Sequence, residues 1–222
     1  MIDVLVIAVH PDDETLGCGA SLLRHVSLGH NVHWLIVTSL DSISCPPSII
    51  DSRQSEINLV SSLYGFSSVT CLDYPTTTLD TIPLSDLVSS ICGVVECIKP
   101  SILYLPFPGD AHSDHRCVYD AASSAAKCFR FPSVEKVLVC ETPSETEFGI
   151  SPIELPFRPN LFIDVSSFID KKVEIMSVYK SEMGDFPFPR SEQTLRSLAQ
   201  LRGSQSGVNA AEAFMILKEI VK

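Results

Sequence analysis

The chain is short of positive charge. Its 222 residues include 16 lysines and arginines against 27 aspartates and glutamates, a formal net charge of −11. Proteins that grip a nucleic-acid backbone need a basic footprint, so this balance argues against such a partner. It leaves room for a small anionic substrate met by one or two local arginines. Long apolar runs are also missing. None approaches the ~18–20 residues needed to span a bilayer, so no membrane anchor is expected. The N-terminus lacks a basic stretch followed by an apolar core and cleavage site. The eight cysteines include no CxxC pair, and Cys92 and Cys97 sit in apolar surroundings, where a thiol behaves as a small hydrophobe. They read as free thiols in a reducing compartment, so a cytoplasmic location is expected. There is no internal repeat and no low-complexity linker, so residues 1–222 are expected to form a single domain.

What is present is an alternation. Ile2–Val9 is a continuous apolar run, the mark of a strand covered on both faces. Leu16, Leu22, Leu23 and Val26 then recur at helical spacing up to Gly29, and Asn31–Thr38 reads as a second strand. Strand, helix and strand in about 40 residues make a βαβ unit. The pattern continues with a helix over Ile50–Tyr64, a strand at Val69–Leu72 and a helix over Leu84–Ile98. A strand at Ile102–Pro106, a helix over His115–Cys128 and a strand at Val137–Cys140 follow. Beyond Glu141, Pro143, Pro152, Pro156 and Pro159 predict an irregular stretch. Leu161–Val165 reads as a strand, and Ile169–Tyr179 and Glu192–Leu201 as helices. Ala210–Ile220 suits helix by composition, though Phe214, Ile216 and Ile220 could share one strand face. The economical fold is α/β and Rossmann-like: a mostly parallel sheet with helices on both faces.

Two polar clusters interrupt this pattern. His10-Pro11-Asp12-Asp13-Glu14 follows the first strand, and Asp110-Ala111-His112-Ser113-Asp114-His115 follows the Ile102–Pro106 strand. Three of the six histidines lie in them. In an open α/β sheet, ligands bind beyond the carboxyl ends of the strands, so both clusters belong at one edge. A catalytic zinc takes three N or O donors and keeps one position open. His10, one of Asp12 or Asp13, and one of His112 or His115 would supply the donors. The other aspartate would face the open position as a general base, and the other histidine would donate to an oxyanion. Taken alone, an Asp-Asp after a strand is more often a helix cap and a first-turn acid. Two such clusters after two strands favour a site. His25, His30 and His33 belong to no cluster and read as surface or core residues. Glu14 reads as a favourable charge at a helix start.

The segments AVHPDDETLGCGASL and DAHSDHR closely resemble the signatures of the LmbE/PIG-L family of zinc-dependent de-N-acetylases, (A/P)HPDDE with an LGCGG-like continuation, and HxDH. The likeness extends to Gly29-His30-Asn31-Val32, to Arg53 and Glu56, to Tyr179-Lys180-Ser181, and to Arg202-Gly203 through Ala211-Glu212-Ala213-Phe214. It implies a Rossmann-like sheet, with the last of these segments as a strand. It also implies metal binding by His10, Asp13 and His115, and Asp12 as general base. His112 would stabilise the oxyanion or protonate the leaving amine, with Asp114 holding its imidazolium form. Arg53 would bind the substrate's sugar or its phosphate-like extension. Glu182 stands where the family often has Gln.

The resemblance thus implies a Zn2+ enzyme (Fe2+ and Co2+ suit the same donors) that removes the N-acetyl group from an N-acetylglucosamine-type conjugate. Its partners would be a small acylated sugar and further copies of itself, as a trimer or hexamer. Three alternatives remain: cleavage of a larger sugar-thiol amide, a non-haem Fe(II) oxygenase using two histidines and a carboxylate, and a non-catalytic metal- or sugar-binding protein. Specificity is expected in the loops Ser39–Ser48, Tyr74–Ile82 and Pro143–Asn160.

Overall fold

The computed structural model describes residues 1–40, 45–150 and 156–222. Among these, seven strands form one sheet: β1 (Asp3–Ala8), β2 (Asn31–Ser39), β3 (Ser68–Pro75), β4 (Ile102–Leu105), β5 (Lys136–Cys140), β6 (Leu161–Asp164) and β7 (Ala211–Glu219). Their order is β3-β2-β1-β4-β5-β7-β6. β1 pairs in parallel with both β2 and β4, β2 with β3, and β4 with β5. β7 lies antiparallel between β5 and β6. The chain therefore winds outward from β1 in one direction, then returns to start β4 on the other side. The crevice at that reversal, beyond the carboxyl ends of β1 and β4, is where such sheets bind ligands.

The continuous apolar run of β1 is explained by burial on both faces. Val4, Val6 and Ala8 pack with Leu16 and Leu22 of α1 (Asp13–Ser27), Ile57 and Val60 of α2 (Pro47–Tyr64), and Val173 of α5 (Ile169–Met176). Leu5, Ile7 and Val9 pack on the other face with Leu87, Ile91 and Val95 of α3 (Leu84–Ile98) and Val118 of α4 (Ser113–Ala122). The sixth helix, α6 (Glu192–Ser206), adds Leu195 to the first of these cores.

The expected elements form, with differences at their ends. α2 starts at Pro47, since proline suits the first turn of a helix, and ends at Gly65 with φ 74°. α4 stops at Ala122 and passes into a 3-10 turn at Ser123–Ala126, short of Cys128. There Ser123 turns its hydroxyl back onto the Asp120 carbonyl. α5 ends at Met176, and α6 runs on past Leu201 to Ser206. Ala210–Ile220 resolves as a strand because β5 and β6 offer it backbone partners on both edges. Part of the proline-rich stretch, with Pro152, lies outside the described residues, as does part of the Ser39–Ser48 loop. Among the described residues, no helix is long and apolar enough to cross a membrane.

One junction ties the last strand to the first helix. α1 breaks at Cys18, whose φ of −146° is non-helical, and the break frees backbone groups that need partners. The buried Glu212 carboxylate of β7 accepts from the amides of Ala20 (3.0 Å) and Ser21 (2.7 Å). Lys172 of α5, also buried, donates to the Leu16 carbonyl (2.8 Å) and to Glu212 (2.7 Å). The glycines beside the break allow close approach. A Cβ at Gly17 would lie 2.9 Å from the Cβ of Cys140, and one at Gly19 would lie 2.3 Å from the Tyr64 hydroxyl.

Removing one member of a buried, hydrogen-bonded ion pair typically costs roughly 3–5 kcal/mol, because the other charge is stranded. Glu212→Ala should lower unfolding stability by that order in urea titrations. Adding Lys172→Met should recover part of the loss. Equal midpoints for wild type and Glu212→Ala would show that the junction carries no stability.

Candidate metal centre and active site

The two polar clusters emerge side by side because β1 and β4 are neighbours. Asp13 is the hub. One oxygen of its buried carboxylate, Oδ2, lies 3.5 Å from His10 Nδ1 and 3.4 Å from His115 Nε2, and it accepts from the His10 amide at 2.8 Å. Each imidazole turns its other nitrogen to a second carboxylate. His115 Nδ1 bonds Asp110 Oδ2 at 2.7 Å, and His10 Nε2 lies 3.5 Å from Asp114 Oδ2. Asp110 is itself fixed by the Thr146 hydroxyl at 2.6 Å.

Charges in this cluster hold one another. Burial would raise Asp13, but the imidazoles of His115 and His10 hold it well below the usual carboxylate range. Burial would depress His10, but Asp114 and Asp13 outweigh it and raise its pKa to about 9. His115 is likewise driven down by burial and carried well above its ordinary value by Asp13 and Asp110. The cluster therefore attracts positive charge. A divalent cation would meet the same demand with the two imidazole protons released.

The donor set fits such an ion. His10, Asp13 and His115 each offer a ligand atom, and these atoms lie within 4.8 Å of one another. His115 Nε2, the ring nitrogen that faces Asp13, is buried with no hydrogen-bond partner, an expensive state unless something else satisfies it. The carboxylates behind both rings are the usual means of orienting metal-binding histidines. His10, His112 and Asp114 form a second possible set. It is the poorer one, because Asp114 already accepts from the amides of Thr77 (2.7 Å) and Leu79 (3.2 Å).

His112, whose ring centre lies 4.6 Å from that of His10, is the N-cap of α4. Its Nδ1 accepts from the Asp114 amide at 3.2 Å, which leaves the proton on Nε2. Burial and the nearby His10 lower its pKa, so the neutral ring is a hydrogen-bond donor. Asp114 thus reaches His112 through its backbone amide, while its carboxylate faces His10 and the Thr77–Leu79 turn.

Asp12 is held differently from its neighbour. Its φ of 137° lies where only glycine sits without strain. This turns its carboxylate away from Asp13 and onto Arg190, at 2.7 Å. Burial and the Asp13 charge raise its pKa well above the usual range, against the pull of Arg190. Glu14 is more than a helix-start charge. It is fully buried, accepting from the Asp12 amide (3.0 Å), the Thr15 hydroxyl (2.6 Å) and the Tyr179 hydroxyl (3.0 Å), and burial pushes its pKa up to about 7.

A pocket of about 210 Å³ opens beside the hub, lined by His10, Asp12, His112, Arg53, Glu182 and Arg190 among others. Ser39, Leu40, Thr76 and Glu145 also reach it, so each of the three loops named from the sequence contributes to the wall. Arg53 is there as expected, but its guanidinium already donates to the Pro11 carbonyl (3.2 Å) and pairs with Glu182. Arg190 and Glu145 carried no signal in the sequence. Asp110 stood in the second cluster, five residues before His115, but without an assigned role.

A three-donor metal site at the reversal point of an α/β sheet, with a separate carboxylate facing a pocket, is the equipment of a hydrolase that works through a bound ion. The family model described as PIG-L, GlcNAc-PI de-N-acetylase, matches residues 5–126, more than half the chain and both clusters. The chain belongs to this metal-dependent family and is an amide hydrolase of the deacetylase type. It is 28% identical over 184 residues to an uncharacterized deacetylase of Escherichia coli, YaiS, covering 80% of this chain and 90% of that protein. It is 23% identical over 233 residues to diacetylchitobiose deacetylase of Thermococcus kodakarensis, covering 98% and 84%. Among solved structures, the conserved protein TT1542 of Thermus thermophilus superposes with a TM-score of 0.77 at 23% identity, covering 100% of this chain and 97% of that one. A 4-carboxy-2-hydroxymuconate hydratase of Pseudomonas putida, GalB, shares the fold at a TM-score of 0.75 and 18% identity, covering 100% and 98%. The fold alone therefore does not decide the chemistry.

Carboxylates that orient a metal-binding histidine typically contribute about 10–100-fold in metal affinity. Asp110→Asn should weaken metal retention by that factor in competition with a chelating dye, with the fold intact by circular dichroism. Unchanged affinity would remove Asp110 from this role.

Proposed function

We propose that this chain is a zinc-dependent de-N-acetylase that acts on an N-acetylglucosamine-type sugar conjugate and releases acetate and a free amine. The observation that carries the reading is the divergence of two consecutive aspartates. Asp13 faces two imidazoles, and Asp12 lines the pocket beside His112. His10, Asp13 and His115 would hold the ion. When bound, zinc polarises a carbonyl and lowers the pKa of water to about 7.

The remaining work falls to side chains. Asp12, which faces the pocket beside His112 and is made more basic by burial and the Asp13 charge, takes a proton from the attacking water as general base. The neutral His112 donates from Nε2 to the oxygen that gains negative charge as the acetamide carbonyl becomes tetrahedral. Asp12 then returns the proton to the departing nitrogen, the C–N bond breaks, and acetate and amine leave. The pocket is small against the ~300–1,000 Å³ of drug-sized ligand sites, which suits a compact acylated sugar end. The names of the T. kodakarensis relative and of the family model support an N-acetylated sugar as substrate. All eight thiols are free, which supports a reducing, cytoplasmic setting.

The test is acetate release by zinc-loaded protein from a panel of N-acetylglucosamine conjugates: the free sugar, chitin oligomers, nucleotide sugars and thiol-precursor glycosides. Silence across the panel with zinc bound would sink the reading. Asp12→Asn keeps a partner for Arg190 and should retain zinc while losing on the order of 10²–10⁴ in turnover. Near-normal turnover would remove Asp12 as the base. His115→Ala should lose both stoichiometric zinc, read by elemental analysis, and activity. Full zinc content in that variant would contradict the ligand set.

A further inference from the structure

The mouth of the pocket carries an unusual charge arrangement. Among the described residues, its wall holds two arginines, Arg53 and Arg190, and three carboxylates, Asp12, Glu145 and Glu182. Glu182 joins the arginines, with Oε1 paired to Arg53 and Oε2 3.0 Å from Arg190. Arg53 also faces Glu56 at 3.4 Å. Arg190 spends its other donors on Asp12 (2.7 Å), Ser144 (2.6 Å) and Glu145 (3.4 Å). Both guanidiniums are thus engaged before any substrate arrives, and both are more than four-fifths buried.

An anionic substituent entering here would meet carboxylates and, among the described residues, no uncommitted guanidinium. It would have to break a partly buried ion pair, which strands the other charge. A hydroxyl-rich neutral ring makes no such demand, since carboxylate oxygens accept from sugar hydroxyls. An added amine is attracted by the excess of negative charge.

We propose that Glu182 is a specificity-determining residue: by holding Arg53 and Arg190 together, it makes the pocket select uncharged or amine-bearing glycosides of N-acetylglucosamine over carboxylate- or phosphate-bearing ones. This rests on the sugar deacetylase reading above for the identity of the ring, and on the ion-pair geometry alone for the sign of the selection.

The experiment compares matched ligands on zinc-loaded protein at about 0.15 M ionic strength, where exposed charges beyond ~8 Å are screened. The ligands are methyl N-acetylglucosaminide, N-acetylglucosaminyl-glucosamine and N-acetylglucosamine 6-phosphate. Binding is read by calorimetry and acetate release in parallel. The neutral and amine-bearing ligands should bind at least ~10-fold more tightly than the phosphate. Glu182→Gln should shift the ratio of phosphate to neutral-ligand affinity by about 10-fold towards the phosphate. Tighter phosphate binding by the wild type, an unchanged ratio in Glu182→Gln, or no binding by any ligand overturns the proposal. The expected binding order without acetate release keeps the charge selection and discards the deacetylase reading. Acetate release that favours the phosphate does the reverse.

Discussion

Everything in this site depends on one buried carboxylate between two imidazoles. Asp13, His10 and His115 occupy a region where an unpaired charge is costly, and each is tolerable only because of the others. The cluster needs its second ring of acids, Asp110 behind His115 and Asp114 behind His10, to fix which nitrogen faces inward. Those acids need partners in turn, and these come from the Thr77–Leu79 turn and from Thr146. Segments after four different strands, β1, β3, β4 and β5, are thereby pinned to one point. That is why a site built largely from loops can be geometrically defined.

The sheet supplies the point. β1 and β4 are far apart in sequence and adjacent in space, and the chain reverses its winding between them. A helix N-terminus follows each. α1 begins at Asp13 and α4 at Ser113, so the rigid core, rather than the loops, sets the spacing of His10 and His115. The close fit of α1 to its surroundings extends this rigidity. Gly17 admits Cys140, Gly19 admits the Tyr64 hydroxyl, and Glu212 from the last strand repairs the break at Cys18. The N-terminal and C-terminal family segments therefore meet in one junction beneath the candidate metal centre.

Much of this was legible in the sequence. The apolar run of β1 announced a strand buried on both faces, and the bounds of α3 followed from its apolar spacing and the stop before Pro100. The two clusters after two predicted strands marked the site, because metal and acid-base chemistry restricts residue types strongly. The order of the strands was not legible, since periodicity reports which face is buried and not which strand lies alongside. Ala210–Ile220 illustrates this: its composition favours helix, the family resemblance points to strand, and its place between β5 and β6 is the physical reason that it is one. Arg190 was equally hidden. It lies 178 residues from Asp12, in a segment without periodicity, and its importance comes wholly from tertiary placement.

The separation of roles between two adjacent aspartates is the final consequence of the packing. In relaxed backbone, Asp12 and Asp13 would compete for the same cations and repel each other. At φ 137° they diverge, at a cost of order 1–3 kcal/mol. That strain needs a restraint, and Glu14 provides it. One of its oxygens holds the Asp12 amide, and the other is gripped by the Thr15 and Tyr179 hydroxyls. Thr15 is held by Tyr64, whose ring stacks on Phe66 in the core. A line of contacts thus runs from the aromatic core through a buried acid to the backbone of the proposed base. α5 ends at Met176, before Tyr179, which leaves that residue free to turn its hydroxyl to Glu14. On this view the acid after the Asp-Asp pair is needed because the pair is. Two carboxylates in sequence can take two tasks only where a third, buried beside them, holds the backbone in a conformation it would not otherwise keep.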